Sequence, residues 1–327
     1  MKKLCPLSGD TAMETINIGV SACLLGERVR YDGTYKLDRY LVETLSKYFR
    51  YMPVCPEVEC GLPVPREVMW LSGDPVYPRL VTIQTGIDHT ERLQMWGREK
   101  LRVLEHEDIW GFILKSRSPS CGVAKVTVHR GRGSSPACGA GIWARMIMDR
   151  FPLIPVEGDD RLSKPEIREH FIERIFVFKR WRELIRGGMK ADRLVDFHTR
   201  HELLFRAHNP QVGRELGRLV EVGKIIDANE LFDRYLALLT KALALKSTVR
   251  KNADVLIHLM RFFKRILAAD EKAELLDIIE CYRTGQVPLI MPVTLVNHYV
   301  RKFNEPYLSN QYYLNPHPLE LKLRSFG

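Results

Sequence analysis

The feature that most constrains this chain is a change in the period of its hydrophobic pattern near residue 160. Before that point, short apolar runs alternate with stretches of helical period. The runs are 16–25 (INIGVSACLL), 51–58 (YMPVCPEV), 80–85 (LVTIQT), 110–116 (WGFILKS) and 152–157 (PLIPVE); the helical stretches are 38–49, 89–107 and 139–150. Strands that alternate with helices fold as a largely parallel sheet, because a parallel crossover needs a dozen or more residues and usually a helix. From Lys164 onward strand signals nearly vanish. Helical periodicity runs over 165–186, 192–208, 210–224, 228–247, 249–268, 270–284 and 292–303, with stops at Gly187-Gly188, Asn209-Pro210, Gly285, Pro288 and Pro292. The expected class is an α/β N-terminal domain with a largely parallel sheet and flanking helices, followed by an all-α C-terminal domain. The expected boundaries are a leader at 1–12, the α/β domain at 13–160 and the helical domain at 164–327, with Met13 an alternative start.

A length of 327 residues suits about two such domains. No apolar run approaches the ~18–20 residues of a membrane span, and the first residues lack the apolar core of a signal peptide. A soluble, cytoplasmic chain without a membrane partner is expected; no oligomeric state is read from the pattern. Cysteines at 5, 23, 55, 60, 121, 138 and 281 are odd in number and widely spread, which argues against a disulfide framework. In a reducing compartment they serve as buried fillers, nucleophiles or metal ligands. The net charge of +10 is uneven: residues 164–327 hold 28 Lys+Arg against 20 Asp+Glu, and the first 163 hold 22 against 20. A near-neutral half joined to a basic half suggests chemistry in one and a grip on a polyanion in the other.

Three cysteines fall where strands should end. Cys23 follows IGVSA, Cys55 lies in MPVCPEV, and Cys121 lies in KSRSPSCG after WGFIL. If these strands are parallel neighbours, the thiols converge on one crest, where the ligand crevice of an open α/β sheet lies. Converging thiols bind a metal or an iron–sulfur cluster, or one or two of them merely pack in the core. Three ligands would leave one coordination position open for chemistry. Glu57 and Glu59 set carboxylates beside the thiols, and Ser116, Ser118 and Ser120 add hydroxyls, a source of acid, base and orienting groups. Closely spaced ferredoxin-type cysteines are absent from these loops, which disfavours an electron carrier.

Several of these blocks resemble a known family. Ser21-Ala22-Cys23-Leu24-Leu25-Gly26 with Arg30-Tyr31-Asp32-Gly33, then Cys55-Pro56-Glu57, then Ser118-Pro119-Ser120-Cys121-Gly122, are similar to signature blocks of the thiouracil desulfidase (TudS-like) family, over about residues 16–160. Phe197-His198-Thr199-Arg200-His201 and Ala207-His208-Asn209-Pro210 resemble the helical domain often fused to it. The two-domain arrangement is similar to that of bacterial tRNA 4-thiouridine desulfidases (the RudS family). The resemblance implies a 4Fe–4S cluster held by Cys23, Cys55 and Cys121 with one open iron. It also implies Glu57 as the proton-transfer residue, and Ser118 or Ser120 as substrate-positioning groups. The implied reaction is non-redox desulfuration of 4-thiouridine in tRNA to uridine with release of sulfide. A free thiouracil or thionucleoside substrate is the alternative, as is a non-catalytic RNA-binding protein with a structural metal site. Cys60 and Cys138 depart from the expected pattern; each reads as an ordinary small residue, the alternative being a fourth ligand that closes the cluster.

In the helical half, His198 and His201 share one face, but without HExxH or nearby cysteines they read as packing, capping or phosphate-contacting residues. On a helical wheel of 249–268, Arg250, Lys251, His258, Arg261, Lys264 and Arg265 occupy one arc opposite an apolar arc. Arg250, Lys251, Arg261, Lys264 and Arg265 are therefore candidate RNA-backbone contacts, and tRNA is the expected partner.

Overall fold

A computed structural model describes residues 16–130 and 137–317; Cys5, Met13 and the leader at 1–12 lie outside the described residues. The chain divides into two compact units, Met1–Asp159 and Asp160–Gly327.

The first unit is built on a four-stranded sheet of order β2–β1–β5–β8, parallel throughout. Its strands are β1 (Ile16–Ser21), β2 (Phe49–Val54), β5 (Ile109–Leu114) and β8 (Val156–Gly158). β-Branched residues at 16, 18 and 20 favour the extended backbone of β1. All six residues of β5 are buried, as expected of a parallel strand covered on both faces. The register aligns the carboxyl ends: Ser21 faces Val54, Val20 faces Ile113, and Ile113 faces Glu157. The chain runs from β1 to β2 on one side and returns to place β5 on the other, so β1 is the point where the strand order reverses.

Helices α3 (Thr90–His106) and α4 (Ile142–Arg150) contact each other through Trp96 and Trp143, with ring centroids 4.9 Å apart. Trp143 is fully buried in a core with Phe112, Leu71, Leu93, Val128 and Ile147. The run at 38–49 forms the short α1 (Arg39–Glu43), capped by Asp38, and a 3-10 turn at Leu45–Lys47 before β2 begins at Phe49; pairing with β1 overrides the helical period.

A second sheet was not legible in the pattern. Its order is β4–β3–β6–β7, from β3 (Met69–Gly73), β4 (Pro78–Thr82), β6 (Val126–His129) and β7 (Ala137–Gly139). The β3–β4 and β6–β7 pairs are antiparallel and β3–β6 is parallel. The run at 80–85 therefore belongs to this mixed sheet and not to the parallel one. Three of its strands are short and broken by polar or glycine residues, so they present no apolar run.

The second unit is helical. Its long elements are α6 (Pro165–Arg186), α7 (Ala191–His208), α8 (Pro210–Glu221), α9 (Ala228–Leu243), α10 (Val249–Phe263), α11 (Ala269–Arg283) and α12 (Ile290–Lys302). The one-turn helices α5 (Asp159–Leu162) and α13 (Pro306–Ser309) had no sequence signal. An aromatic cluster of Trp181, Phe197, Phe232 and Tyr235 anchors the core, with Trp181 and Tyr235 stacked at 5.4 Å. Helix α10 stops at Phe263, five residues short of the expected 249–268. Lys264 is its cap and Arg265 lies in the turn beyond, so neither extends a helical basic stripe. No helix among the described residues is long and apolar enough to cross a membrane.

Candidate functional site

The chain leaves β1, β2 and β5 at one level, each time through a turn that carries a cysteine. After β1, a 3-10 turn over Ala22–Leu25 holds Cys23 and closes at Gly26, whose φ of 97° lies in the left-handed region open to glycine. After β2, Pro56 cannot continue the hydrogen-bonded ladder and is favoured at a helix start, so α2 (Pro56–Glu59) begins with Cys55 at its cap position. After β5, residues 115–121 form a loop ending at Cys121.

That loop is pinned along its length. The Lys115 N–H donates to Ser21 Oγ at 2.9 Å, and Ser116 N–H to Asp159 Oδ1 at 2.6 Å. Lys115 Nζ meets Asp159 Oδ2 at 2.7 Å. Ser118 Oγ accepts the N–H groups of Ser120 and Cys121 at 3.2 and 3.1 Å. The N-terminus of α4 binds the loop carbonyls: Ile142 and Ala144 donate to Pro119 and Ser120, each at 3.2 Å. Gly141 permits this approach, since a Cβ there would stand 2.5 Å from the Ser120 carbonyl oxygen. Arg117 holds a left-handed φ of 63°, a strain of roughly 1–3 kcal/mol for a side-chain-bearing residue, kept in place by these bonds.

The three turns enclose a cavity of about 400 Å³ at the carboxyl edge of β1, β2 and β5. Cys23, Cys55 and Cys121 all line it, with Glu57, Ser118 and Arg66. Burial pushes the Cys23 thiol up to about 11, reinforced by neighbouring Cys55. Burial likewise raises Cys55 and carries Cys121 well above the ordinary thiol value. As free thiols they stay protonated at neutral pH; only a bound cation would draw out the thiolates and release their protons.

Glu57 is held at both oxygens. Oε1 accepts the Ser120 hydroxyl at 2.8 Å, and Oε2 accepts Arg66 Nε and Nη2 at 2.8 and 2.5 Å. The two side chains are only 6% and 12% exposed, a buried ion pair, and Arg66 Nη2 also donates to the Val29 carbonyl at 2.9 Å. Each carboxylate oxygen offers two lone pairs, so Glu57 can still accept from a group in the cavity.

The structure therefore brings the three predicted cysteines, Glu57 and Ser118 to one place. Two assignments change. Ser120 is fully buried and absent from the cavity wall; its hydroxyl is spent on Glu57, so it orients the carboxylate and not the substrate. The Ser118 hydroxyl shapes the turn that aims Cys121. Neither Cys60 nor Cys138 lines the cavity: Cys60 Sγ donates to the Glu57 carbonyl at 3.2 Å, and Cys138 is exposed on β7 of the other sheet. Arg66, Lys115, Asp159 and Gly141 escaped the sequence reading. The charged residue closing the Pro-rich stretch after Glu57, and the Gly-Ala-Gly before α4, were the available signals.

In the second unit, His198 and His201 are core residues: His198 Nδ1 lies 3.0 Å from the Tyr235 hydroxyl, and His201 Nδ1 donates to the Phe197 carbonyl at 2.7 Å. Arg250, Arg261, Lys264 and Arg265 are exposed. Lys251 is not free for a backbone contact of the kind expected, because its Nζ donates to the His208 carbonyl at 2.6 Å and closes the end of α7.

Among the described residues, no group of three His, Cys, Asp or Glu side chains can hold a single metal ion. The three thiols stand around a cavity wall, with Arg30, Lys115 and Arg117 beside them. This donor set suits a soft, multi-centre group whose thiolate charge the cations offset. A parallel α/β sheet that presents such a cavity at its carboxyl edge defines an α/β domain with a thiol-lined pocket.

Comparison with known proteins gives that domain its family. Residues 18–159 match the family model described as 2-thiouracil desulfurase, and residues 202–318 match one described as a protein of unknown function, DUF1722. Uncharacterized protein YbgA of Escherichia coli (strain K12) is 28% identical over 155 residues, 47% of this chain and 92% of its own length. A solved 4Fe–4S-dependent thiouracil desulfidase, TudS, is 32% identical over 46% of this chain and 94% of that one, with a TM-score of 0.37. The N-terminal unit belongs to the 2-thiouracil desulfurase (TudS-like) family and is followed by a DUF1722 region.

Proposed function

We propose that this protein hydrolyses the thiocarbonyl of 4-thiouridine in tRNA, giving uridine and hydrogen sulfide, with the basic helical unit holding the RNA. The observation that carries the reading is the meeting of Cys23, Cys55 and Cys121 around one cavity with a carboxylate fixed at both oxygens. The three cysteines would hold a 4Fe–4S cluster with one iron free of protein ligands. Such a cluster, when bound, supplies a soft Lewis acid that binds thiocarbonyl sulfur in preference to oxygen and makes C4 more electrophilic. The chain's own residues do the rest. Glu57 accepts a proton from the water that adds to C4 and returns one to the departing sulfur. Arg66 and Ser120 keep the carboxylate aimed at the cavity. Water contributes its oxygen to the base and its two protons leave with sulfur, so no electrons change hands and no reductant is required.

Exposed Arg250, Arg261, Lys264 and Arg265 supply positive charge for phosphate contacts. A free thiopyrimidine is the second reading, favoured by the family description itself and by a cavity within the range of small-ligand sites. Anaerobic reconstitution with iron and sulfide, followed by 4-thiouridine absorbance in tRNA and in the free nucleoside, tests both. Loss of absorbance matched by sulfide release is expected, faster on tRNA. Charge reversal at Arg261 and Arg265 should slow the tRNA reaction alone. Equal action on the nucleoside would move the assignment to the small-molecule substrate, and no action on either would end it.

A further inference from the structure

The helical unit holds a separate cavity of about 300 Å³ in the groove between α7 and α8. Two glycines let these helices close: a Cβ at Gly213 would stand 3.5 Å from the Arg206 backbone nitrogen, and one at Gly217 would stand 3.5 Å from His198 Nε2. His198 is 8% exposed and lines the cavity.

The hydrogen bond between His198 and Tyr235 decides which ring nitrogen carries the proton. Nδ1 lies 3.0 Å from the hydroxyl of Tyr235, which is fully buried and has no other partner among the described residues. A buried hydroxyl needs an acceptor, so Tyr235 donates to Nδ1. Burial holds the imidazole below its ordinary value, and the neutral ring then bears its hydrogen on Nε2, at the cavity side facing Gly217.

Three guanidinium groups share the same cavity. Arg206, Arg214 and Arg218 line it, and none of them has a hydrogen-bond or ion-pair partner among the described residues. The carboxylates at the cavity are Glu202, which accepts the Tyr307 hydroxyl at 2.8 Å, and Glu221. Positive charge continues toward α10, where His258 is pushed down by burial and by nearby Arg206 and Arg261.

An N–H donor at the cavity wall and three guanidinium groups that no described residue pairs call for a ligand that accepts hydrogen bonds and carries negative charge. A cation would meet like charge from the arginines, and an apolar group would offer the His198 N–H no acceptor. We propose that the α7–α8 groove is a phosphate-binding site, taking either the backbone phosphate of an RNA or the phosphate of a free small molecule. The site does not depend on desulfuration, and its test uses substrate without sulfur.

Full-length protein with 15N-labelled histidine is titrated with inorganic phosphate, following the Nε2 signal of His198. Binding of an unmodified tRNA transcript is measured by anisotropy across a salt series. Arg214→Ala/Arg218→Ala, both at exposed positions, is compared with the conservative double variant to lysine. Phosphate should shift the His198 signal in the wild type and not in the alanine variant, with the lysine variant between them because it keeps charge but loses the fork. If RNA supplies the phosphate, the alanine variant also binds transcript about tenfold more weakly, with a salt slope lower by roughly two. If transcript affinity is unchanged while the His198 response is lost, a free phosphate compound is the ligand. An unresponsive His198 signal in the wild type overturns the site, even if the arginine variant weakens RNA binding, since that would mark general surface charge.

Discussion

Arg66→Met offers the sharpest test of how the site is held, because it removes one member of a buried pair and leaves the other in place. Arg66 is 6% exposed, makes two bonds to the Glu57 carboxylate at 2.8 and 2.5 Å, and is replaced by an apolar chain of similar reach. Only the Ser120 hydroxyl would remain on that carboxylate, at Oε1. Stranding a buried charge costs about 3–5 kcal/mol, and the retained serine bond places this case near the lower end. Adding Glu57→Gln removes the charge itself, so the double variant should recover about 2 kcal/mol of the loss. The assay is denaturant-dependent hydrogen exchange of the β1 and β5 amides, which reports the N-terminal unit without requiring one global transition. Additive losses, or a cost for Arg66→Met below about 1 kcal/mol, would refute the claim that Arg66 neutralises Glu57 in a desolvated setting.

Further outcomes follow from the same geometry. Cys23→Ala, Cys55→Ala and Cys121→Ala should each abolish iron and sulfide retention after anaerobic reconstitution, while Cys60→Ala and Cys281→Ala retain it; retention in any of the first three sinks the ligand assignment. Ser120→Ala should lower kcat by about tenfold with little change in iron content, since a placed carboxylate contributes roughly 10²–10⁴-fold and only its aim is disturbed. Gly141→Ala presses a methyl group against the Ser120 carbonyl and should cost about 1–3 kcal/mol and reduce iron content, because the strain reaches the Cys121 loop. His170 is lowered to about 4, chiefly by burial and then by neighbouring His208, while Nε2 donates to the Leu243 carbonyl. The unfolded chain binds a proton there below the ordinary value of 6.5 and the folded one does not until about 4, so its contribution is present above 6.5 and is lost as pH falls toward 4. Urea unfolding of the helical unit should weaken by about 2 kcal/mol from this group between pH 7 and 5, and His170→Gln should remove that component.

Much of this architecture was legible because long elements write their period into the chain. The parallel strands β1, β2 and β5 and the helices from α6 to α12 announce themselves by apolar runs or by amphipathic spacing. The neighbour relation of β1, β2 and β5 then follows from βα alternation, and it is what lets cysteines 32 and 66 residues apart be read as one cluster. Strands β3, β6 and β7 left no such mark: at three to five residues, each is stabilised by its partners and not by its own pattern. Arg66 and Asp159 were hidden for another reason. Their partners, Glu57 and Lys115, are distant in sequence or separated by turns, and polar pairing has no period. Ser120 was visible as a residue but not in its direction, since one residue more or less of turn decides whether a hydroxyl meets a ligand or a carboxylate. The early end of α10 belongs to the same class, because the new helix starting at Ala269 sets where the chain must bend.

The level ending of β1, β2 and β5 also imposes an order of events on the newborn chain. Cys23 and Cys55 are synthesised early, but the third corner of the cavity waits for β5, and the loop carrying Cys121 is braced only when α4 and then Asp159 arrive. A chain interrupted before residue 159 has its thiols without the enclosure that spaces them. Any cofactor captured by those thiols is therefore a late guest: it enters a finished sheet, adds its binding energy only to that state, and shifts the folding balance by an amount set by its free concentration.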